Sequence, residues 1–207
     1  MVFLIFLPAL IFESAFNADW FTFKRQFVKI ILMAGPMLIF ASFATAILMY
    51  YVLGFETENN FTFVACVLFG AINSATDPVA VVSLLKALGV SKRISTLIEG
   101  ESLLNDGTAL VFFIVLLEFV HGESPSAEDI VKKFCQMSLG GPLFGLLFGI
   151  IMKFLLSRIY NEPIMEANLT VCLPYLCFYA AEHENVHVSG ILALVAMGLY
   201  MSDAGKT

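Results

Sequence analysis

Apolar residues in this chain fall into long runs separated by short polar links. Seven runs stand out: 1–16, 28–54, 61–90, 94–120, 134–160, 164–181 and 188–201. A helix needs about 20 consecutive apolar residues to cross a bilayer. Most of the runs reach that length, and the first and last are short. The pattern predicts an all-α integral membrane protein, a multi-helix bundle forming one membrane domain over 1–207. No separate soluble domain is expected between the runs.

Two runs carry polar residues where lipid would forbid them. In 61–90 an apolar half from Phe61 to Ile72 is followed by Asn73-Ser74-Ala75-Thr76-Asp77-Pro78, and Val79 opens a second apolar half. Neither half alone is long enough to span. Pro78 lacks an amide donor and disfavours helix at Asp77. The chain is therefore expected to unwind over 73–78, near mid-membrane, giving a discontinuous helix. Irregular backbone at that depth is tolerated only inside protein or beside a watery cavity. Freed carbonyls and helix ends at such breaks form ion sites in secondary transporters. A simpler role, with Asp77 capping the second half-helix, is compatible with that one.

In 94–120 the pair Asn105-Asp106 falls almost at the midpoint. A carboxylate at the bilayer centre costs roughly 2.5 kcal/mol or more, which is rarely carried without a role. Helical spacing puts Ser102 and Glu99 on the Asp106 face and Glu101 on the Asn105 face. One side of this helix is a polar track, flanked by Gly100 and Gly107.

The basic residues alternate between links. Lys24, Arg25, Lys29, Lys86, Lys92, Arg93, Lys153 and Arg158 belong to the odd links; Lys132 and Lys133 belong to an even one. By the positive-inside rule the odd links face the cytoplasm. Gly141, Gly145 and Gly149 make a small-residue ridge in 134–160, suited to close helix approach in lipid.

Composition agrees with this reading. Hydrophobic residues make up 59% of the 207 and charged residues 14%, with a net charge of −6. The mean hydropathy is +0.89. No basic patch or stacking groove suggests nucleic acid. Cys66, Cys135, Cys172 and Cys177 lie in or beside apolar runs without disulfide or zinc spacing, and are expected to pack as buried small hydrophobes. His183 and His187 stand four apart, in an acidic link that reads as a solvated turn. Glu13 reads as an interfacial acid at a helix end. The chain is apolar from Met1, with no basic leader and no cleavage site, so a longer parent protein is expected.

The polar track suggests ion exchange. A hard monovalent cation wants oxygen ligands, and a buried carboxylate also holds a proton because burial disfavours its charged form. Sodium and proton then compete for one site. A single aspartate beside a neutral asparagine favours one-for-one, electroneutral exchange. Glu101 lies deep enough to need a basic partner, and no run offers a mid-membrane Lys or Arg.

Three stretches carry a family signature. Phe6-Leu7-Pro8-Ala9-Leu10-Ile11-Phe12-Glu13-Ser14, Ser74-Ala75-Thr76-Asp77-Pro78-Val79-Ala80-Val81-Val82 and Glu99-Gly100-Glu101-Ser102-Leu103-Leu104-Asn105-Asp106-Gly107 resemble the sodium/proton exchanger family of the monovalent cation:proton antiporters. Val188-Ser189-Gly190-Ile191-Leu192-Ala193 is similar to a later stretch of that family. The resemblance implies an inverted-repeat antiporter fold with crossing broken helices, a homodimer and elevator-like alternating access. It implies that Asp106 binds the ions, with sodium held at Asp106 and Asp77 and with Asn105 and Thr76 in the same site. Ser102 and Pro78 support that site, and Glu101 is implied to pair with an Arg on a later helix absent from this sequence. The Phe-Glu-Ser and Leu-Leu-Lys-Ala-Leu-Gly stretches resemble the subgroup of plant plasma-membrane and sperm-specific exchangers.

The expected function is thus electroneutral sodium/proton antiport by a secondary transporter rather than an enzyme, in the plasma membrane. Sodium and proton are cargo, and no cofactor is implied. A cation channel or non-coupled ion-sensing scaffold on the same fold is the alternative. An intramembrane hydrolase using Asp77 and Asp106 lacks the surrounding catalytic groups.

Overall fold

In the computed structural model, residues 2–54, 62–76, 78–120, 126–159, 162–183 and 186–204 are described. Among them the chain is helical almost throughout. The helices are α1 (Val2–Asn17), α2 (Trp20–Val52), α3 (Phe63–Ser74), α4 (Val79–Ala87), α5 (Lys92–Val120), α6 (Ala127–Leu156), α7 (Pro163–Ala181) and α8 (Gly190–Ala204). Four of these, α2, α5, α6 and α7, are long and apolar enough to cross a membrane.

Helix α2 starts eight residues before the apolar run that marks it. Asp19 holds an extended backbone at its start, and Phe23 N–H already bonds to Asp19 O at 2.8 Å. Lys24, Arg25 and Lys29 do not break the helix because they share its exposed face, while Phe23 and Ile30 are buried on the other. Two π-turns interrupt α2, at Met33–Met37 and Leu48–Val52. The first contains Gly35-Pro36, and proline's missing N–H is the local cause of the irregular ladder.

The expected break is narrower than 73–78. Asn73 and Ser74 remain helical, Ala75 is extended (φ −77°, ψ 101°), and α4 opens with Val82 N–H bonding to Pro78 O at 2.8 Å. With 12 and 9 residues, α3 and α4 reach about 18 and 14 Å at 1.5 Å per residue. Neither alone would cross the roughly 30 Å of hydrocarbon.

Helix α5 lies between two packed groups. On one side it meets α2 and α3; on the other it meets α6 and α8. Helix α8 is buried along most of its length, including Leu194, Val195 and Met197, and packs against α1, α6 and α7. The glycine ridge of α6 makes the α6–α8 approach possible. A Cβ on Gly145 would overlap the Ala193 carbonyl, and one on Gly141 would stand 2.8 Å from Ser189 O. The outer faces carry large exposed apolar residues such as Phe40 on α2 and Leu143 on α6, as a lipid-facing surface requires.

The cysteines divide. Cys66 and Cys177 are buried, as expected of all four, but Cys135 and Cys172 are exposed. An apolar run does not say which helix face meets protein and which meets lipid. Glu13 is exposed on α1, and among the described residues no cluster of three or more metal-binding side chains forms.

Candidate ion-binding site

The gap between α3 and α4 frees backbone carbonyls, and α5 supplies side chains that bond to them. Asn105 Nδ2 donates to Ser74 O at 2.9 Å, and Ser102 Oγ donates to Thr76 O at 3.3 Å. The two donors stand three residues apart on one α5 face, and both are buried. The end of α3 also packs closely against α2. Ser74 Oγ donates to Gly70 O at 2.7 Å and lies 3.4 Å from Ser42 Oγ, which donates to Leu38 O at 2.8 Å. Gly70 permits this, since a Cβ there would overlap the Ser42 carbonyl.

The Asn105 amide has one allowed orientation. A carbonyl only accepts, so the nitrogen must face Ser74 O and the oxygen must point away. That oxygen, Oδ1, is buried and has no hydrogen-bond partner among the described residues. Asn105 is 4% exposed. Leaving a buried acceptor without a donor costs about 1–3 kcal/mol, and a bound cation would remove that cost.

Asp106 is half-buried and lies one helical turn beyond Ser102. Thr76 is exposed, with its carbonyl engaged by Ser102, and Pro78 is half-buried. Asp77 lies outside the described residues. Glu101 is half-buried and makes no hydrogen bond or ion pair among the described residues. The structure thus brings Asn105 and Ser102, on the helix that also carries Asp106, against the Ser74 and Thr76 carbonyls of the break.

One contact at this site was not anticipated from the sequence. Thr108 Oγ1 lies 2.8 Å from Ala34 O, in the first π-turn of α2, and 3.0 and 3.1 Å from the Leu104 and Asn105 carbonyls of its own helix. Gly35-Pro36 inside an apolar run was the available signal, because such a pair disturbs the helical ladder and frees carbonyls.

Residues 1–207 match, over their whole length, the family described as sodium/hydrogen exchanger, transmembrane. The chain belongs to this family. It is an integral membrane protein with an antiporter-type helical fold. Sodium/hydrogen exchanger 7 of Arabidopsis thaliana is 37% identical over 203 residues, which are 98% of this chain and 17% of that protein. The Na(+)/H(+) antiporter NhaP of Pseudomonas aeruginosa is 36% identical over 205 residues, covering 97% of this chain and 47% of the relative. The solved structure of the sodium proton antiporter MjNhaP1 from Methanocaldococcus jannaschii superposes with a TM-score of 0.68. It covers 96% of this chain and 47% of its own, at 23% identity. The chain therefore spans less than half the length of each of these relatives.

Proposed function

We propose that this exchanger-family chain carries part of the ion site of an electroneutral sodium/proton antiporter working by alternating access. Asp106 binds sodium and proton in competition. The observation that carries this reading is the buried Asn105 Oδ1 without a donor, on the residue next to a half-buried mid-helix carboxylate. An unpaired oxygen beside a carboxylate suits a hard cation, which is bound by oxygen atoms and repels N–H donors.

Sodium entering the site meets the Asp106 carboxylate and Asn105 Oδ1. Asp77 and the carbonyls around Thr76 complete the oxygen set. Ser102 and Asn105 fix the unwound strand, and Pro78 maintains the break. When Asp106 takes a proton instead, its charge is lost and sodium leaves. One carboxylate then exchanges one sodium for one proton, so no net charge crosses. Glu101 pairs with a cation supplied by the remainder of the parent protein. Residues 1–207 act as one membrane domain of a plasma-membrane homodimer, and the cycle needs no cofactor. The names of the plant and bacterial relatives support sodium and proton as the cargo.

The test is sodium-driven proton movement in proteoliposomes holding the complete parent protein. Asp106→Asn should abolish it. Exchange at the wild-type rate in that variant would sink the assignment. Sodium conductance without proton counter-movement would favour a channel.

A further inference from the structure

Helix α2 is longer than a membrane requires. Its 33 residues extend about 50 Å at 1.5 Å per residue, against a hydrocarbon core of roughly 30 Å. Its first three and a half turns, Trp20–Leu32, can therefore stand at headgroup level. Those turns have two different faces. Phe23 and Ile30 are buried toward α5, and Gln26 Nε2 on the same side donates to Arg93 O at 2.7 Å. The opposite face carries Phe21, Val28 and Leu32, exposed at 67%, 79% and 64%, interleaved with exposed Lys24, Arg25 and Lys29.

That mixture fits neither water nor hydrocarbon. Three large apolar side chains exposed to water would be costly, and three cations in acyl chains more so. At the headgroup boundary both are accommodated. Two contacts set the charge at the same place. The Gln26–Arg93 bond brings the start of α5 beside α2, and Lys92 Nζ lies 2.8 Å from Asp19 Oδ2. Asp19, at the start of this helix, is thus taken up by Lys92. Arg25 Cζ lies 5.1 Å from the centroid of the Phe21 ring. A guanidinium over an aromatic ring makes a cation–π contact, and its planar fork of N–H donors suits bidentate binding of a phosphate.

We infer that the face of α2 formed by Phe21, Lys24, Arg25 and Lys29 binds the headgroup of an anionic phospholipid. Arg25 grips the phosphate, Lys24 and Lys29 neutralise it, and Phe21 and Val28 lie against the upper acyl chains. The site is separate from the ion site on α5 and does not depend on the transport reading.

Trp20, the single tryptophan of the 207 residues, begins this helix and reports on it directly. The full chain would be reconstituted in phosphatidylcholine vesicles containing equal fractions of brominated phosphatidylglycerol or brominated phosphatidylcholine. Trp20 quenching should be stronger with the brominated anionic lipid, and the preference should shrink as salt rises. Each neutralised cation should weaken the apparent association roughly fivefold, so Lys24→Gln/Arg25→Gln/Lys29→Gln should quench equally with both lipids. Lys153→Gln/Arg158→Gln, on another helix, should keep the preference, and millimolar inorganic phosphate should not compete. Equal quenching in the wild type, an unchanged preference in the triple variant, loss in the control variant, or displacement by free phosphate would each overturn the inference. Should the triple variant lose its helical circular dichroism, the wild-type salt series decides alone: a salt-independent preference overturns it.

Discussion

Asn105 on α5 holds the last carbonyl of α3, with its Nδ2 2.9 Å from Ser74 O. The bond joins the helix of the proposed ion site to the break that faces it. Asn105→Leu keeps the branched heavy-atom shape but removes the donor to the Ser74 carbonyl. With saturating sodium, so that Oδ1 no longer lacks a partner in the wild type, a loss of about 1–3 kcal/mol is expected, read as a lower unfolding temperature in detergent. An unchanged midpoint would mean that the bond does not hold α3 in place.

Close helix contact makes a sharper prediction at Gly145. The atom its Cβ would strike is the Ala193 carbonyl, part of a buried helix with no flexible end to move aside. Gly145→Ala should push α6 from α8 and cost about 1–3 kcal/mol, despite alanine's better helix propensity. Gly35→Ala is the control, since nothing lies within 4 Å of its added methyl. That substitution should be neutral or slightly stabilising. Equal melting shifts for the two would contradict the packing account.

The parts of this architecture most visible in the sequence are those where polarity conflicts with lipid. Pro78 and its polar neighbours mark a break because they cannot continue a helix, and Asn105-Asp106 stands out because a mid-run carboxylate is expensive. Periodicity within a run is harder to read. Lys24, Arg25 and Lys29 resemble a link, yet they line one face of a continuous helix. Cys135 and Cys172 resemble Cys66 in context but face outward. Thr108 gives no signal of its own, since a hydroxyl in a helix can bond within its own turn. Its second partner, Ala34 O, is 74 residues away.

That distant partner can be tested. Thr108→Val is nearly isosteric and removes only the hydroxyl, so the tie between α5 and the π-turn of α2 is lost while packing persists. About 1 kcal/mol of stability should disappear. Thr108→Ser should retain most of it, because the hydroxyl survives. If the valine and serine variants melt together, the contact to Ala34 carries no stability.

Away from the proposed ion site, Glu182 closes the turn between α7 and α8 by accepting the Gly190 N–H at 3.0 Å. Burial of the carboxyl pushes it up from its ordinary value, and the Gly190 bond to the ionised form pulls back less strongly. The folded protein therefore holds this proton more tightly than the unfolded chain does. Its contribution to stability is fully present below the unfolded value and is lost as pH rises through the raised folded value. Hydrogen exchange at the Gly190 amide, corrected for intrinsic base catalysis, should show protection falling as pH rises through that raised value. Glu182→Gln keeps a neutral acceptor for Gly190 and should flatten that dependence. Because part of the residue still meets solvent, screening keeps the effect modest, so the sign of the slope is the decisive reading. Protection that rises with pH in the wild type would show the hydrogen bond outweighing burial.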